Sequence, residues 1–208
     1  MMSMLRGATV FSTIDLEIAY FQLLLHEESR DLTAFIIHEG LFRFCRVPYG
    51  LASAPSAFQK MLATVLQGLP NVANYLDDVI VWGHTKSDHD HMLKVVIQHI
   101  HDAGLQLNDS KCHFNKSSLR FLGHTVSAQG IHPDEVHLSA MLHAPVPKDA
   151  HQLRSLLGLL SWYNKFIPNF ATVVEPLRAC IRQGSEFSWS DEAQKSFSTV
   201  KELSLIHI

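Results

Sequence analysis

Asp77 and Asp78 form a carboxylate pair between two apolar runs, Val72 to Leu76 and Val79 to Trp82. A third carboxylate, Asp15, closes the weakly alternating stretch Ala8 to Ile14. Acidic groups brought together this way suit phosphoryl transfer to a nucleotide. In that chemistry two divalent ions ~3.5–4 Å apart clamp the attacking and leaving oxygens. Magnesium takes hard oxygen ligands, usually one or two carboxylates plus substrate phosphates. Carboxylates ~4 Å apart repel by ~4 kcal/mol at an effective dielectric near 20, so the cluster persists only when cations or a proton neutralise it. Asp is also common in turns. Neither Asp77-Asp78 nor Asp15 identifies such a centre alone, and the case rests on the constellation around them.

Several elements must position these groups. Ala8 to Ile14 reads as a strand with Asp15 at its end. The runs flanking Asp77-Asp78 read as strand, tight acidic turn, strand. Residues 32–37 and 41–47 read as two short strands joined at Glu39-Gly40. A helix follows with Pro55 near its first position. Its Phe58, Met61, Leu62, Val65 and Leu66 keep one apolar face, and Gly68 sits where a C-cap belongs. The next helix runs from about Asp88 to Ala103 and closes at Gly104. Two short strands follow, around Cys112–Phe114 and Leu119–Val126.

Pro145 and Pro147 mark a boundary. Asp149, with Gln152 three residues on, is a capping-box-like start. That helix is expected to reach Ile167 and stop at Pro168. More helix is expected over 172–182, and Ser190 caps a last helix from Asp191 to Leu203. Mixed strands and helices followed by a helical tail predict α+β with a helical second lobe.

The bulk numbers exclude little. The 208 residues, 47% of them hydrophobic, suffice for one compact domain or two small ones. Mean hydropathy is +0.06. No apolar run approaches the ~20 residues that cross a bilayer, so no membrane partner is expected. Met1 to Leu5 lacks the charged start and cleavage site of a secretory signal. Three cysteines at no useful spacing read as reduced thiols, cytosolic or nuclear. A net charge of −3 counts mildly against a nucleic-acid partner, though a two-metal phosphoryl-transfer centre must also hold acidic ligands.

The histidine cluster His84, His89, His91, with Asp88 and Asp90, does not read as a metal site. His89 and His91 diverge by roughly 200° on a helix, so the cluster reads as a solvated helix face. Cys112-His113 with His124 is no better as a zinc site.

The helix at 150–167 carries an unusual second face. Leu153, Leu156, Leu157 and Leu160 fall within about 100° of arc and form the buried stripe. Arg154, Gly158, Trp162 and Lys165 gather opposite. That face suits a duplex: the glycine permits close approach, the tryptophan packs on sugars and the cations meet phosphates. Alternatively, Trp162 packs on a neighbouring lobe.

Five blocks in order resemble the reverse transcriptases of gypsy-class long-terminal-repeat retroelements and, more distantly, those of retroviruses. They are Phe11-Ser12-Thr13-Ile14-Asp15-Leu16 with Ala19-Tyr20; Val47-Pro48-Tyr49-Gly50-Leu51 through Ala54-Pro55 to Phe58-Gln59; Tyr75-Leu76-Asp77-Asp78; Gly104-Leu105 through Lys111-Cys112; and Phe121-Leu122-Gly123-His124. The likeness spans about residues 5 to 202.

The resemblance implies a polymerase palm, an antiparallel sheet with packed helices, plus partial fingers and a helical thumb. It allots 1–25 and 49–126 to the palm and 26–48 to a partial fingers hairpin. Residues 127–184 become the thumb or helical lobe, and 185–202 the start of a connection or RNase H-like region. Residues 203–208 leave the family pattern. They resemble one reading frame of a sequencing adapter and are expected to be a non-native tail. The family's N-terminal fingers segment is expected to be missing.

The resemblance also implies roles. Asp15 and Asp77 would ligate two Mg2+ ions, with Mn2+ an alternative, and Asp78 would complete the cluster. The backbone near Leu16 would approach the triphosphate. Tyr20 would stack under the sugar and exclude a 2′-hydroxyl; without its motif it reads as a core tyrosine. Tyr49 and Gly50 would contact nucleotide and template. Lys111 would protonate the leaving pyrophosphate; alone it reads as a surface lysine. Tyr75, Phe121 and Gly123 would meet nucleic acid, the last two in a primer-gripping hairpin over Phe121–Thr125. Arg154, Gly158, Trp162 and Lys165 would lie against the minor groove.

The expected partners are a primed RNA or DNA template, deoxynucleotides and the rest of a Pol polyprotein with RNase H, integrase and protease. The expected location is a cytoplasmic retroelement particle or the nucleus. The function so implied is an RNA-directed DNA polymerase fragment. The alternatives are an inactive or co-opted nucleic-acid-binding remnant lacking the N-terminal fingers, and an RNA-directed RNA polymerase, which Tyr20 and the Tyr-x-Asp-Asp turn disfavour.

Overall fold

A computed structural model describes residues 2–182 and 187–206, without the side chains of residues 2, 3, 135–137, 165 and 204–206. In chain order it contains β1 (Val10–Asp15), α1 (Glu27–Arg30), β2 (Phe35–Ile37), β3 (Gly40–Phe42), α2 (Ala54–Val65), β4 (Val72–Tyr75) and β5 (Asp78–Gly83). Next come α3 (Lys86–Asp102), β6 (His113–Lys116), β7 (Ser118–Phe121), β8 (His124–Ser127) and β9 (Gly130–Pro133). The described residues after β9 form α4 (Glu135–Leu142), α5 (Ala150–Trp162), α6 (Phe170–Val173), α7 (Glu175–Ala179) and α8 (Asp191–Ile206). The chain divides into two compact units, Met1–Phe121 with Val126–Gly130, and Leu122–Thr125 with Ile131–Ile208.

The first unit is built on a four-stranded sheet of order β4-β5-β1-β6. β1 pairs antiparallel with β5, Ser12 opposite Val81, Ile14 opposite Val79 and Asp15 opposite Asp78. Side chains alternate across a strand. One face of the β1–β5 pair therefore carries Ser12, Ile14, Val79 and Val81. Ile14, Val79 and Val81 pack with Phe58 and Leu62 of α2 and Met92, Leu93, Val96 and Ile100 of α3 into one buried cluster. The other face carries Phe11, Thr13, Asp15, Asp78, Ile80 and Trp82. The acidic pair thus points away from the helix-covered face.

α2 begins with Pro55 in its first turn, as its sequence predicts. α3 begins at Lys86, two residues before the expected start. Thr85 is its N-cap: Oγ1 accepts the Asp88 N–H at 3.2 Å.

His89 overturns the expectation of a wholly solvated face. His84 and His91 are exposed, but His89 is fully buried. Its Nε2 lies 2.9 Å from Ser12 Oγ, and its Nδ1 lies 3.1 Å from Asp90 Oδ1. Ser12 Oγ also accepts the Asn115 N–H at 3.0 Å. A buried polar ring is tolerable only when hydrogen-bonded, and here both nitrogens have partners. Gly83 makes room for it, since a Cβ there would lie 2.6 Å from the His89 amide nitrogen and Cβ.

β2 and β3 form the expected hairpin, Ile36 opposite Leu41, in a shorter form. Asp31–Thr33 is a 3-10 turn instead of strand. Thr33 Oγ1 donates to Arg30 O at 2.6 Å and accepts the Phe44 N–H at 3.1 Å. The expected strand over Leu119–Val126 is broken into β7 and β8 by Leu122 and Gly123, both at positive φ.

The second unit is helical, with a core including Met141, Leu153, Leu160, Tyr163, Val174, Leu177 and Val200. α4 was not expected from the sequence. α5 starts where predicted: Asp149 Oδ1 accepts the Gln152 N–H at 2.8 Å. Gln152 Oε1 returns to the Lys148 N–H at 2.9 Å instead of the cap residue itself. α5 stops at Trp162, short of the expected Ile167, and a 3-10 turn takes over Asn164–Phe166. The helix expected over 172–182 is two short ones, because Pro176 restarts the chain in the first turn of α7. Ser190 caps α8 as expected, its Oγ accepting the Ala193 N–H at 3.1 Å.

Candidate active site

Three adjoining pieces of the first unit build the site. The first is the end of β1. Asp15 is held by its backbone: its N–H donates to Cys112 Sγ at 3.4 Å and its carbonyl accepts the Asn108 N–H at 2.9 Å. The second is the β4–β5 turn. Leu76 adopts φ +55°, unusual for a residue with a bulky side chain. Gln59 of α2 holds it there, its Oε1 accepting the Leu76 N–H at 2.5 Å. Asp77 follows in the turn and Asp78 opens β5. The third is the Asn108–Cys112 turn, which brings Lys111 Nζ to 3.9 Å from Asp15 Oδ1.

These groups feel one another. Burial pushes the Asp15 carboxyl above its ordinary range; Lys111 pulls it down and Asp77 pushes it up. Asp78 is exposed to solvent along part of its surface. Its carboxyl is still raised, first by burial, then by Asp77 and Asp15, against Lys111. Asp15 Oδ1 is buried without a hydrogen-bond partner, an awkward state for a carboxylate oxygen and a natural one for a cation ligand. Among the described residues no group of three or more His, Cys, Asp or Glu side chains converges closely enough to hold a metal ion.

Aromatic residues border the carboxylates. Tyr20 is half-buried, with its ring 5.4 Å from Tyr49 and 5.6 Å from Phe58. Its hydroxyl pKa is raised by burial, then by Asp77 and Tyr49. Tyr49 is 59% exposed, and Gly50 follows at φ +93°, a conformation that favours glycine. Tyr75 is exposed and lies opposite Asp78. The Leu16 side chain is buried. Its bridge to Leu107 is flanked by Glu17 N–H to Gln106 O and Asn108 N–H to Asp15 O. Backbone alternation then turns the Leu16 N–H away from the Leu107 segment.

The remaining expected residues fare differently. Phe121 is buried in the first unit. Its ring packs inside the protein and does not face solvent. Gly123 sits at φ +73°. Arg154 and Gly158 are exposed on α5 in the second unit. Trp162 is half-buried, with its ring 4.3 Å from His124 and 4.9 Å from Tyr163, so part of its surface already packs within that unit. The Lys165 side chain lies outside the described residues. Its backbone belongs to the 3-10 turn, so it does not continue the α5 face. Sequence reasoning gave no separate role to Gln59, Asn108 or Cys112. Their partners lie 17 to 97 residues away, which no local pattern reveals.

An antiparallel sheet backed by two helices, with an acidic pair at the strand ends of its other face, defines a polymerase palm. The family model described as reverse transcriptase (RNA-dependent DNA polymerase) matches residues 1–126. The chain belongs to the reverse transcriptase family. Among its relatives is the retrovirus-related Pol polyprotein from transposon 297 of Drosophila melanogaster, 36% identical over 175 residues. That match covers 83% of this chain, which spans only 16% of the relative's length. A foamy viral protease-reverse transcriptase in complex with double-stranded DNA matches with TM-score 0.86 at 24% identity, over 94% of this chain and 35% of that one. The foamy viral enzyme in complex with an RNA/DNA hybrid matches with TM-score 0.82 at 24% identity, over 95% of this chain and 27% of that one. At that identity the likeness carries the fold.

Proposed function

We propose that this chain is the polymerase segment of a retrotransposon Pol polyprotein and adds deoxynucleotides to a primer 3′-hydroxyl on an RNA or DNA template. The observation that carries this reading is Asp15 paired with Asp78 across β1 and β5, with Asp77 in the adjoining turn. Residues 1–25 and 49–126 act as palm, 26–48 as a fingers hairpin, 127–184 as thumb and 185–202 as the start of a connection.

In the reaction the primer 3′-oxygen attacks the α-phosphorus, a new P–O bond forms, and the bond to the pyrophosphate oxygen breaks. Two bound Mg2+ ions, or Mn2+, would stabilise the attacking and leaving oxygens. Asp15 and Asp77 would hold them through carboxylate oxygens, and Asp78 would add negative charge beside them. Asp15 Oδ1, buried without a hydrogen-bond partner, and the Asp15 and Asp78 carboxyls, both raised first by burial, fit that donor set. The N–H after Asp15 faces the triphosphate. Tyr20 packs beneath the sugar, and Tyr49 and Gly50 line the nucleotide. Lys111, exposed and beside Asp15, donates a proton to the departing pyrophosphate. The foamy viral neighbours were solved with double-stranded DNA and with an RNA/DNA hybrid. We carry that ligand class to this chain, with Arg154, Gly158 and the open part of Trp162 meeting the duplex.

Competition between deoxy- and ribonucleotides on a primed RNA template tests the substrate. The reading requires deoxynucleotide incorporation, with ribonucleotides admitted when Tyr20 becomes Ala. Equal use of both sugars by the parent chain would sink it.

A further inference from the structure

The structure assigns Gln22 as a positioning residue for the polymerase site, an inference that rests on the function proposed above. Gln22 closes the 3-10 turn Ala19–Gln22, which carries Tyr20. Its carboxamide engages three main-chain groups. Nε2 donates to Glu17 O, and also to Gln106 O at 3.0 Å, while Oε1 accepts the Gln106 N–H at 2.7 Å. The partners themselves fix which end is oxygen and which nitrogen.

The latch ties together the two segments that carry the reacting groups. Residues 15–22 hold Asp15 and Tyr20. Residues 106–111 hold Asn108, which grips the Asp15 carbonyl, and Lys111, which faces its carboxylate. The Glu17 N–H donates back to Gln106 O at 3.0 Å, so Gln22 completes a strand-like pairing that the chain itself abandons after Leu16. Strain makes the latch necessary. Ile18, exposed and β-branched, sits at φ +50° and ψ +23°. A left-handed conformation is a genuine outlier for such a side chain and persists only where its surroundings over-determine it. Gln22 fastens the carbonyl just before Ile18. Arg46 adds bonds to Phe21 O and Gln22 O at 3.2 and 3.1 Å, anchoring the far end of the turn.

Both ends of the carboxamide are used, so shape alone cannot replace it. In Gln22→Glu an acceptor-only carboxylate would face two carbonyls. Gln22→Leu keeps bulk and removes every bond. Two readouts in the full chain test the assignment. Hydrogen exchange at the Gln106 amide should accelerate in both variants. The preference for deoxy- over ribonucleotides, which reports Tyr20, should fall together with kcat/KM by on the order of 10- to 100-fold, since a misplacement of about 1 Å can cost that much. Ser12→Ala, in the buried His89 network, serves as control: it should lower Tm and leave sugar preference alone.

Unchanged Gln106 exchange would overturn the latch. Lost activity with intact sugar preference, matched by Ser12→Ala, would reduce Gln22 to a stability residue and overturn its positioning role. A parent chain that extends no primer would overturn the polymerase reading and this positioning role with it, while the exchange measurement still decides whether the latch exists.

Discussion

Asp15 and Asp78 are Cα partners in the β1–β5 ladder. Their side chains therefore stand together on one face of the sheet, where like charges oppose folding. Both carboxyls are raised above their ordinary value, burial being the largest cause in each. Between that ordinary value and the raised one the folded chain binds more protons than the unfolded chain. Its stability therefore falls as pH rises through that window. In chelating buffer, Asp78→Asn should flatten this part of the pH–stability curve and raise Tm at neutral pH. Magnesium should stabilise the parent more than the variant. Thermal melts across the acidic-to-neutral range check this, and a variant less stable than the parent at neutral pH without metal would contradict it.

The His89 contact with Gly83 and Ser12 predicts a stability effect remote from chemistry. Gly83→Ala forces a Cβ into the His89 backbone, an overpacking that costs about 1–3 kcal/mol. His89→Leu removes the ring partner of the buried Ser12 hydroxyl, at about 1–3 kcal/mol. Urea unfolding measures both. Losses under about 0.5 kcal/mol, the ordinary range for surface positions, would mean the contact is not formed.

Gly158 sits within α5, where a Cβ would meet nothing within 4 Å. The chain's own packing does not demand a glycine there. Gly158→Ala should stabilise the protein by about 0.5–1 kcal/mol, the usual helix-interior difference. It should at the same time weaken binding to an RNA/DNA duplex. Titration of a labelled duplex against both proteins decides, and stabilisation with unchanged affinity would remove Gly158 from the interface.

Lys111 tests the proton-transfer role. Lys111→Ala should lower kcat by on the order of 10²- to 10⁴-fold, the range of a general acid, with little change in duplex affinity. A loss confined to the magnesium requirement would instead make Lys111 a charge partner of Asp15.

Local chemistry wrote much of this fold plainly. Pro55, Asp149 and Ser190 start helices where their side chains or ring geometry say they should, and the apolar runs around Asp77-Asp78 become the β4–β5 hairpin. Continuing hydrophobic pattern misled at the end of α5, because Phe166 and Ile167 still fit the core after the helix has given way to a 3-10 turn. Proline hid a break at Pro176, and α4 lacks a clear apolar stripe. Within the site, the carboxylates, Lys111 and the tyrosines were legible from motif order. Gln22, Gln59, Asn108 and Cys112 were not, since each acts on main chain far along the sequence. His89 misled for the same reason: its partner Ser12 lies 77 residues away.

The most direct test of the central claim is magnesium-dependent extension of a DNA primer on an RNA template. The parent chain, a version carrying a relative's fingers segment ahead of Met1, and Asp77→Asn in each would be compared. The account predicts extension that requires magnesium and is lost in Asp77→Asn, with duplex binding retained. Duplex binding without extension in either parent form, or extension that survives Asp77→Asn, would contradict it.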